Sequence, residues 1–380
     1  MFKQSALTIS VALALTACGS SSDDSGATTA IGQFKDSNTA GISYVSGGQS
    51  GVTDAGGGFI YEVGQTAVFS IGGVTLGTTD GKSVVTPIDL ISGGTSSSVQ
   101  VQNIVRFLMM LDDNGDPSDG ISISPAVQSI ASNWLAVDFS TTDLPTDLVD
   151  IISDAVSADS GSHILPSAST AQTHLESTLL CAYSGAYKGT FSGDDNGTFG
   201  FLVDAINGAV SGVAYSVPDD ENITLSGTEA ISYDQNSTFV SGDTNTGSTF
   251  NGQFSSVNDV SGSWQNSTEP SSGSFSGERV GGALSAIHRF TGTFSGDSVG
   301  VVSLDVDASN NITGVIYNVP DDTSSILSGS LSGTTLTAVT SVGTTITGVL
   351  NTSTRTLDGT WNHPTEGESG IFSGKGCKLN

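Results

Sequence analysis

Basic residues are scarce in this chain of 380 residues. Lysine and arginine number 10 against 38 aspartates and glutamates, which gives a formal net charge of −28 at pH 7. Proteins bind nucleic-acid phosphates and anionic lipid surfaces through Lys and Arg, so this balance excludes nucleic acid as a partner and excludes a polybasic membrane contact. An acidic composition with so few basic residues favours solubility.

Histidine is nearly as scarce, with four residues in the whole chain. None of them has a second ligand-type or acid-base residue at the spacing of a metal site or a catalytic triad. They are His163, His174, His288 and His363. We therefore expect a protein that is not an enzyme.

Long apolar runs are also missing, apart from a short one at residues 6–15 that follows Lys3. This run is shorter than the roughly 20 residues of a membrane-spanning helix. A basic start, a short apolar core and small residues after it are the layout of a secretory signal peptide, predicted here at 1–17.

The small-residue tetrad Leu15-Thr-Ala-Cys18 ends this segment. It resembles the lipobox of bacterial lipoproteins, in which the cysteine becomes the acylated N-terminus. The resemblance implies that Cys18 is lipidated and that several acyl chains form a stable anchor. It also implies the outer membrane, because Gly19 stands where an Asp would retain such a lipoprotein at the inner membrane. An ordinary cleaved signal with an incidental cysteine is the alternative.

Residues 18–32 are rich in Gly, Ser, Asp, Ala and Thr and are predicted to form a flexible tether. With Cys18 assigned to lipid, Cys181 and Cys377 remain as an even pair in an oxidising compartment. We predict a disulfide between them around the whole C-terminal half, with two free buried thiols as the alternative.

The second half of the chain is duplicated, with a period of about 100 residues. Matching segments occur in the same order in both copies, among them Tyr187-Lys-Gly-Thr-Phe-Ser-Gly193 with Phe290-Thr-Gly-Thr-Phe-Ser-Gly296, and Gly262-Ser-Trp264 with Gly359-Thr-Trp361. The duplication predicts two domains, 181–282 and 283–380.

Each copy divides into about eight short alternating strands separated by Gly, Asn and Asp. Hairpin-linked strands must hide their edges, which favours a closed up-and-down barrel and leaves a two-sheet sandwich as the alternative. The recurrent Gly-x-Phe and Gly-x-Trp elements resemble the barrel modules of surface lipoproteins of the transferrin-binding-protein-B type. That resemblance implies ligand capture at the cell surface, but no transferrin-contacting residue carries over.

The first half has a different pattern. The segments Gly41-Ile-Ser-Tyr44, Gly51-Val-Thr-Asp54 and Gly58-Phe-Ile-Tyr61 resemble the carboxypeptidase-regulatory-like β-sandwich, which implies a spacer or binding module at 33–96. Helical periodicity follows in a small helical unit at 97–180. The predicted fold class is mainly β: an N-terminal β-sandwich, a helical unit, and two tandem eight-stranded antiparallel up-and-down barrels.

One loop in the helical unit predicts a cation site. Asp112, Asn114 and Asp116 stand at alternate positions, with Asp119 close behind, and such oxygen side chains suit Ca²⁺. The opening resembles an EF-hand or dockerin loop, but Pro117 and Ile123 replace the expected Gly and Glu. The resemblance implies a structural calcium, and an ordinary acidic turn is the alternative.

The segment Gly296-Asp-Ser298-Val-Gly300 matches the nucleophile elbow of hydrolases. The first copy has Gly193-Asp-Asp-Asn-Gly197 in its place, so both segments are predicted to be hairpin turns. The repeated Pro-Asp-Asp segments, with Asp219 and Asp220 in one copy, are likewise predicted to be turns.

These patterns favour a non-enzymatic, lipid-anchored outer-membrane protein that acts in adhesion or ligand capture. Its partners would be the membrane, through the lipid, and an unidentified protein or small ligand. It would face either the cell exterior or the periplasm. The alternatives are an accessory lipoprotein of an outer-membrane transport or secretion system, and a hydrolase of unrecognised type.

Overall fold

The computed structural model describes residues 27–231, 238–282 and 286–379. The predicted signal peptide, Cys18 and the first part of the tether lie outside these residues. Within them the chain is mainly β, with small N-terminal sheets, a group of helices and two closed eight-stranded antiparallel barrels. The predicted fold class is confirmed.

The N-terminal strands form two small sheets, in the orders β5-β1-β8 and β4-β3-β6-β7. The strands are Thr29–Phe34 (β1), Thr39–Ala40 (β2), Ser43–Ser46 (β3), Gln49–Val52 (β4), Gly58–Glu62 (β5), Thr66–Ile71 (β6), Val74–Asp80 (β7) and Val84–Val85 (β8). Alternation places one face of each strand inside, as in β6, where Ala67, Phe69 and Ile71 are buried.

The helices pack beside these sheets. They are Val99–Met110 (α1), Pro125–Ala131 (α2), Leu144–Asp147 (α3), Val149–Ala158 (α4) and Ala168–Tyr183 (α5), and the short strand Ile121–Ser122 (β9) pairs with β2. Two helices begin at a serine that caps them: the side chain of Ser124 accepts from Val127 N, and that of Ser167 from Thr170 N.

One hydrophobic core joins the N-terminal strands to the helices. Phe34, Phe59 and Phe69 pack in it with Phe107 and Leu108 of α1. Phe59 and Phe69 meet edge to face with their ring centroids 5.1 Å apart. Residues 33–96 and 97–180 therefore bury their apolar faces against each other.

The first barrel closes through consecutive antiparallel pairs, β10 pairing finally with β17. Its strands are Gly185–Gly193 (β10), Gly197–Val203 (β11), Ala209–Ser216 (β12), Glu221–Ile231 (β13), Thr238–Thr244 (β14), Ser248–Ser256 (β15), Asp259–Asn266 (β16) and Ser271–Arg279 (β17). Closure leaves no exposed edge strand, which explains how such short strands form a stable sheet.

The second barrel repeats this arrangement, with β18 paired to β25. Its strands are His288–Gly296 (β18), Gly300–Val306 (β19), Asn311–Asn318 (β20), Thr323–Ser332 (β21), Thr335–Thr340 (β22), Thr345–Asn351 (β23), Thr356–His363 (β24) and Glu368–Lys378 (β25). Equivalent registers recur: Phe191 faces Phe275 in one barrel and Phe294 faces Phe372 in the other.

The two barrels contact each other through an apolar patch. Ala186, Val213 and Val280 of the first pack against Val301, Tyr317 and Val319 of the second. Thr198 Oγ1 donates to the carbonyl of Val319 at 2.6 Å. The predicted disulfide is present, and it joins Cys181 near the end of α5 to Cys377 in β25.

Candidate ligand-binding sites

Each barrel has one end that faces α5 and the chain junctions, and one end that faces away. The far end of barrel 1 is formed by the turns at 194–196, 217–220, 245–247 and 267–270. The far end of barrel 2 is formed by the turns at 297–299, 319–322, 341–344 and 364–367. We call these the open ends, because both lead into pockets.

The open end of barrel 1 leads into an apolar pocket of about 80 Å³. Its lining is dominated by aromatic and aliphatic side chains, with a few polar groups at the rim: Phe191, Asp195, Phe199, Phe201, Ala214, Ile223, Leu225, Thr244, Thr246, Ser248, Phe250, Trp264 and Phe275. This space is several times the roughly 10–15 Å³ that a single water requires. Apolar walls with a few polar groups are the usual composition of a ligand pocket.

Trp264 stands at this opening. Its ring meets Phe191 edge to face, with 6.2 Å between centroids, and its Nε1 donates to Ser192 O at 3.3 Å. The ring lies across Gly273 of the neighbouring strand, where a Cβ would stand 2.4 Å from Nε1. This close approach explains why glycine recurs opposite the tryptophan, since Gly370 lies equally close to Trp361.

The floor of the pocket is formed by packed aromatic side chains. Phe199 packs against Phe275 and Phe201, with 5.7 Å between ring centroids in each pair. Further down, Tyr187 packs on Phe254 at 4.9 Å. Barrel 1 therefore has a closed inner half and an accessible outer pocket.

Barrel 2 has a larger and more polar space at its open end, about 440 Å³. Its rim carries Asp321, His363, Glu366 and Glu368. Its inner apolar residues are well covered, since Trp361 is 7% exposed and Leu327 is fully buried. In barrel 1 the equivalent Trp264 and Leu225 are half-buried, so these two side chains are more accessible to a ligand in barrel 1.

The two copies differ in side-chain volume at matching positions. Phe199, Phe201 and Phe250 of barrel 1 correspond to three aliphatic residues in barrel 2. These are Val302, Leu304 and Ile346. Smaller side chains leave more room, which accounts for the larger space in barrel 2.

The repeated Pro-Asp-Asp segments are turns beside these open ends. Tyr215 donates to Asp220 at 2.6 Å and Tyr317 to Asp322 at 2.9 Å, and both aspartates have φ of 51°. Burial, and then the carboxylate of Asp322, raises the pKa of the Tyr317 hydroxyl. These acids are held as turn residues by a tyrosine on the preceding strand.

The segment that matches a nucleophile elbow is also a turn. Ser298 lies between β18 and β19, and Asp297 accepts a bond from Ser369 N at 2.8 Å. A nucleophile elbow requires a helix after the serine, whereas a strand follows here.

Some residues of the predicted calcium loop contact each other in pairs. Asn114 Nδ2 lies 3.3 Å from both carboxylate oxygens of Asp119, and Asp116 Oδ1 accepts from Ser118 Oγ at 2.6 Å. Asp112 is 1% exposed; its Oδ1 accepts from Ser122 N, and its Oδ2 has no hydrogen-bond partner in the described chain. Burial, and then Asp113 and Asp119, raises the pKa of Asp112.

Within residues 27–231, 238–282 and 286–379, no three His, Cys, Asp or Glu side chains are grouped so that they could hold a metal. A calcium in the loop at 112–119 would therefore need amide, backbone or water oxygens as well. Ca²⁺ accepts such mixed sets of oxygen ligands.

Two histidines lie within 3.3 Å of a carboxylate that sequence spacing did not predict. His163 Nε2 lies 2.6 Å from Asp159, and His174 Nε2 lies 3.3 Å from the fully buried Asp36. Burial lowers the pKa of His174, but Asp36 and Asp112 outweigh it, so the net shift is upward. Asp36 is 138 residues away in the chain, so only tertiary folding brings it to His174.

Ser37 adds a hydroxyl beside this pair. Its Oγ lies 3.5 Å from His174 Nε2 and donates to the carbonyl of Pro117 at 2.8 Å. The same ring nitrogen faces both Ser37 and Asp36. A hydrolase triad instead uses opposite ring nitrogens for the serine and the acid, so this cluster is not such a triad.

No protein-family model and no curated protein matches this sequence. Solved structures of transferrin-binding protein B are similar to about half of the chain. One, with intact N and C lobes, is 9% identical, covers 50% of this chain and 76% of its own, and has a TM-score of 0.20. A tryptophan-to-alanine variant from Haemophilus parasuis is 9% identical, with coverages of 51% and 76% and a TM-score of 0.19.

The protein from serogroup B Neisseria meningitidis is 12% identical, covers 48% of this chain and 52% of its own, and has a TM-score of 0.18. At such TM-scores the likeness carries no argument about the function of this chain. In the part of the chain that the structure describes, no helix combines the length and apolarity needed to cross a bilayer.

Proposed function

We propose that this chain is a lipid-anchored outer-membrane protein, without enzymatic activity, that captures a ligand through an apolar group in the open end of barrel 1. The observation that carries the proposal is the aromatic pocket behind Trp264. An accessible apolar pocket above a packed interior favours ligand capture over a purely structural barrel.

The anchor is part of the same proposal and rests on the tetrad that ends at Cys18. A protein held at the membrane by its N-terminus would present its barrels on the far side of a flexible tether. When the captured ligand is attached to another cell or surface, its capture results in adhesion. An accessory role in transport or secretion would use the same pocket for a partner in the outer membrane.

Filling the pocket is expected to weaken the binding of a small apolar probe at least tenfold. The probe is fluorobenzene, a single uncharged ring suited to a pocket of about 80 Å³, titrated by fluorine-19 NMR against the full chain in detergent. Leu225→Trp places an indole in the half-buried lining, where it competes with the probe for the same space. One tight site per chain is expected in the unsubstituted protein.

Ile326→Trp is the matched control, because Ile326 is 70% exposed on the outside of barrel 2 and adds the same side chain away from the pocket. It should leave the probe affinity within twofold. Equal affinities for Leu225→Trp and the unsubstituted protein, with both variants folded, would place the binding elsewhere and end the proposal.

We also propose a structural calcium at Asp112, Asn114, Asp116 and Asp119. It is supported by the buried Asp112 Oδ2, because a carboxylate oxygen without a hydrogen-bond donor is costly unless a cation compensates it. A bound Ca²⁺ would supply that compensation and fix the loop after α1.

Calcium at 100 times its dissociation constant is expected to stabilise the chelator-treated full chain by about 2.7 kcal/mol. Calorimetric titration and thermal unfolding measure the effect, and Asp112→Asn and Asp116→Asn should abolish it. Asp138→Asn is the control, because Asp138 accepts from Ser140 N and Oγ as Asp116 does from Ser118, but outside the loop. The absence of both binding heat and a thermal shift would refute the calcium site.

A further inference from the structure

Positive charge is concentrated where the N-terminal half meets the barrels. Of the ten basic residues, all but Lys3 lie within the described residues. Among these nine, Lys82, Lys188 and Arg289 lie within 4.0 Å of a carboxylate. The other six have no such partner in the described chain, although acids outnumber bases almost four to one: Arg106, Arg279, Lys375 and the three considered below, Lys35, Arg355 and Lys378. Their charge is therefore not neutralised by a close ion pair.

These three cations line one cleft of about 860 Å³, which we call the junction cleft. Helix α5 forms one wall, the turn before β24 and the end of β25 form another, and the loop after α1 contributes Pro117 and Ser118. His174 also lines it, with Asp36 behind the ring. Asp116 is the single carboxylate among the described residues that line the cleft.

The hydrogen bonds of these cations go to neutral oxygens. Lys35 Nζ donates to Leu379 O at 2.8 Å and also to Asn38 Oδ1, and Lys378 Nζ donates to Ser118 O at 3.2 Å. Arg355 lies exposed in a turn with φ of 58°. Carbonyl and amide oxygens hold Lys35 and Lys378 in place without forming a close ion pair.

Two of the three cations act on a common neighbour, His288, and Lys35 is affected by Arg289 outside the cleft. Burial, and next the charge of Arg289, lowers the pKa of Lys35 to about 8. Burial, followed by Lys378 and Arg355, lowers the pKa of His288. An anion in the junction cleft would meet the positive charge of Arg355 and Lys378, in a chain whose net charge repels anions elsewhere.

The remaining wall of the cleft is rich in hydroxyl groups. Along α5 these are Ser169, Thr170, Thr173, Ser177 and Thr178. Such groups both donate and accept, so they suit a ligand that itself carries several hydroxyls. The anionic end of the ligand would meet the cations, where charge-assisted hydrogen bonds are stronger than neutral ones.

We propose that the junction cleft binds a small acidic carbohydrate, with its anionic group held by Lys35, Arg355 and Lys378 and its hydroxyls facing α5. The anionic group is a carboxylate or a phosphate, because the same cations accept either. This site is separate from the pocket of barrel 1 and does not depend on the function proposed there.

The test is calorimetric titration of the full chain in detergent with three probes: D-glucuronate, glucose 6-phosphate and glucose. Binding of either anionic sugar, but not of glucose, is expected, and the stronger of the two identifies the anionic group. The affinity should fall at least tenfold in an Arg355→Gln, Lys378→Gln double variant. It should also fall as salt is raised from about 50 to 500 mM, because salt screens accessible charges.

Lys375→Gln is the matched control, because Lys375 is exposed on the same strand as Lys378 and does not line the cleft. It removes one charge and should leave the affinity within twofold. Arg355→Gln alone serves if the double variant does not fold, and it should also weaken binding. The proposal is overturned by no binding of either anion, by equal binding of glucose, or by an equal loss in Lys375→Gln.

Discussion

Replacing Cys181 and Cys377 by serine is expected to lower the free energy of unfolding by about 3–5 kcal/mol. The bridge closes a loop with a sequence separation of 196 residues, which contains both barrels. In the chain-entropy model, so long a loop removes much conformational freedom from the unfolded chain. Urea unfolding, followed by circular dichroism with and without reductant, measures the loss.

The structure gives a second reason to expect a large effect. Cys181 and Cys377 are 8% and 3% exposed, so serine hydroxyls would replace buried sulfur. The bridge joins the last turns of α5 to β25, so it fixes the helical region to the final strand of barrel 2. Unfolding midpoints that are equal in the oxidised protein and the double variant would show that the bridge contributes nothing.

Cys18→Ser is the matched control for this experiment. It removes the third cysteine of the chain without touching the bridge. Urea unfolding should be unchanged, while the protein should move from the membrane fraction to the soluble fraction if Cys18 carries the lipid. The control thus also tests the proposed anchor.

Replacing Arg279 by methionine is expected to lower the free energy of unfolding by about 3 kcal/mol. The guanidinium lies at the end of barrel 1 opposite its open end. There it donates four hydrogen bonds: to Val257 O at 2.7 Å, Ser184 O at 2.6 Å, Ala182 O at 2.6 Å and the Tyr187 hydroxyl at 2.7 Å. Its carbon Cζ also lies 5.1 Å from the centre of the Tyr187 ring. Methionine fills similar space but leaves these acceptors without their donor.

Arg279→Lys should recover part of the loss, because an ammonium group keeps the charge but lacks the planar fork that reaches several acceptors. Lys375→Met is the control for removing a basic residue from an exposed position on the equivalent strand of barrel 2. Unfolding is followed in urea as before. A loss as small for Arg279→Met as for Lys375→Met would contradict the assigned role of the guanidinium.

The barrels could be predicted from the sequence because their information is local and repeated. Alternation of apolar and polar residues predicts strands, and Gly, Asn and Asp predict the turns between them. Comparing the two copies shows which motif matches are coincidental, because such a match is absent from the equivalent position of the other copy. The comparison of Ser298 with Asp195 identified the hydrolase-like segment as a turn in the same way. The elimination of Cys18 left one possible pair of cysteines, so the disulfide could also be predicted.

The candidate sites could be predicted only in part. The predicted calcium loop lies within a few residues of sequence, so its members could be proposed together. The junction cleft could not, because Lys35 contacts Leu379 across 344 positions and Asp36 meets His174 across 138. Nothing in the local pattern around Lys35 distinguishes it from an ordinary exposed lysine.

The sequence alone determined the strands, the duplication, the paired cysteines and the acidic surface, because each follows from local patterns or from composition. The tertiary structure decided which barrel end stays open, which copy exposes its tryptophan, and where the scarce cations gather. These outcomes depend on how side-chain volumes fill the interior of each barrel and on which distant segments of the chain folding brings together. Neither quantity can be obtained from neighbouring residues in the chain.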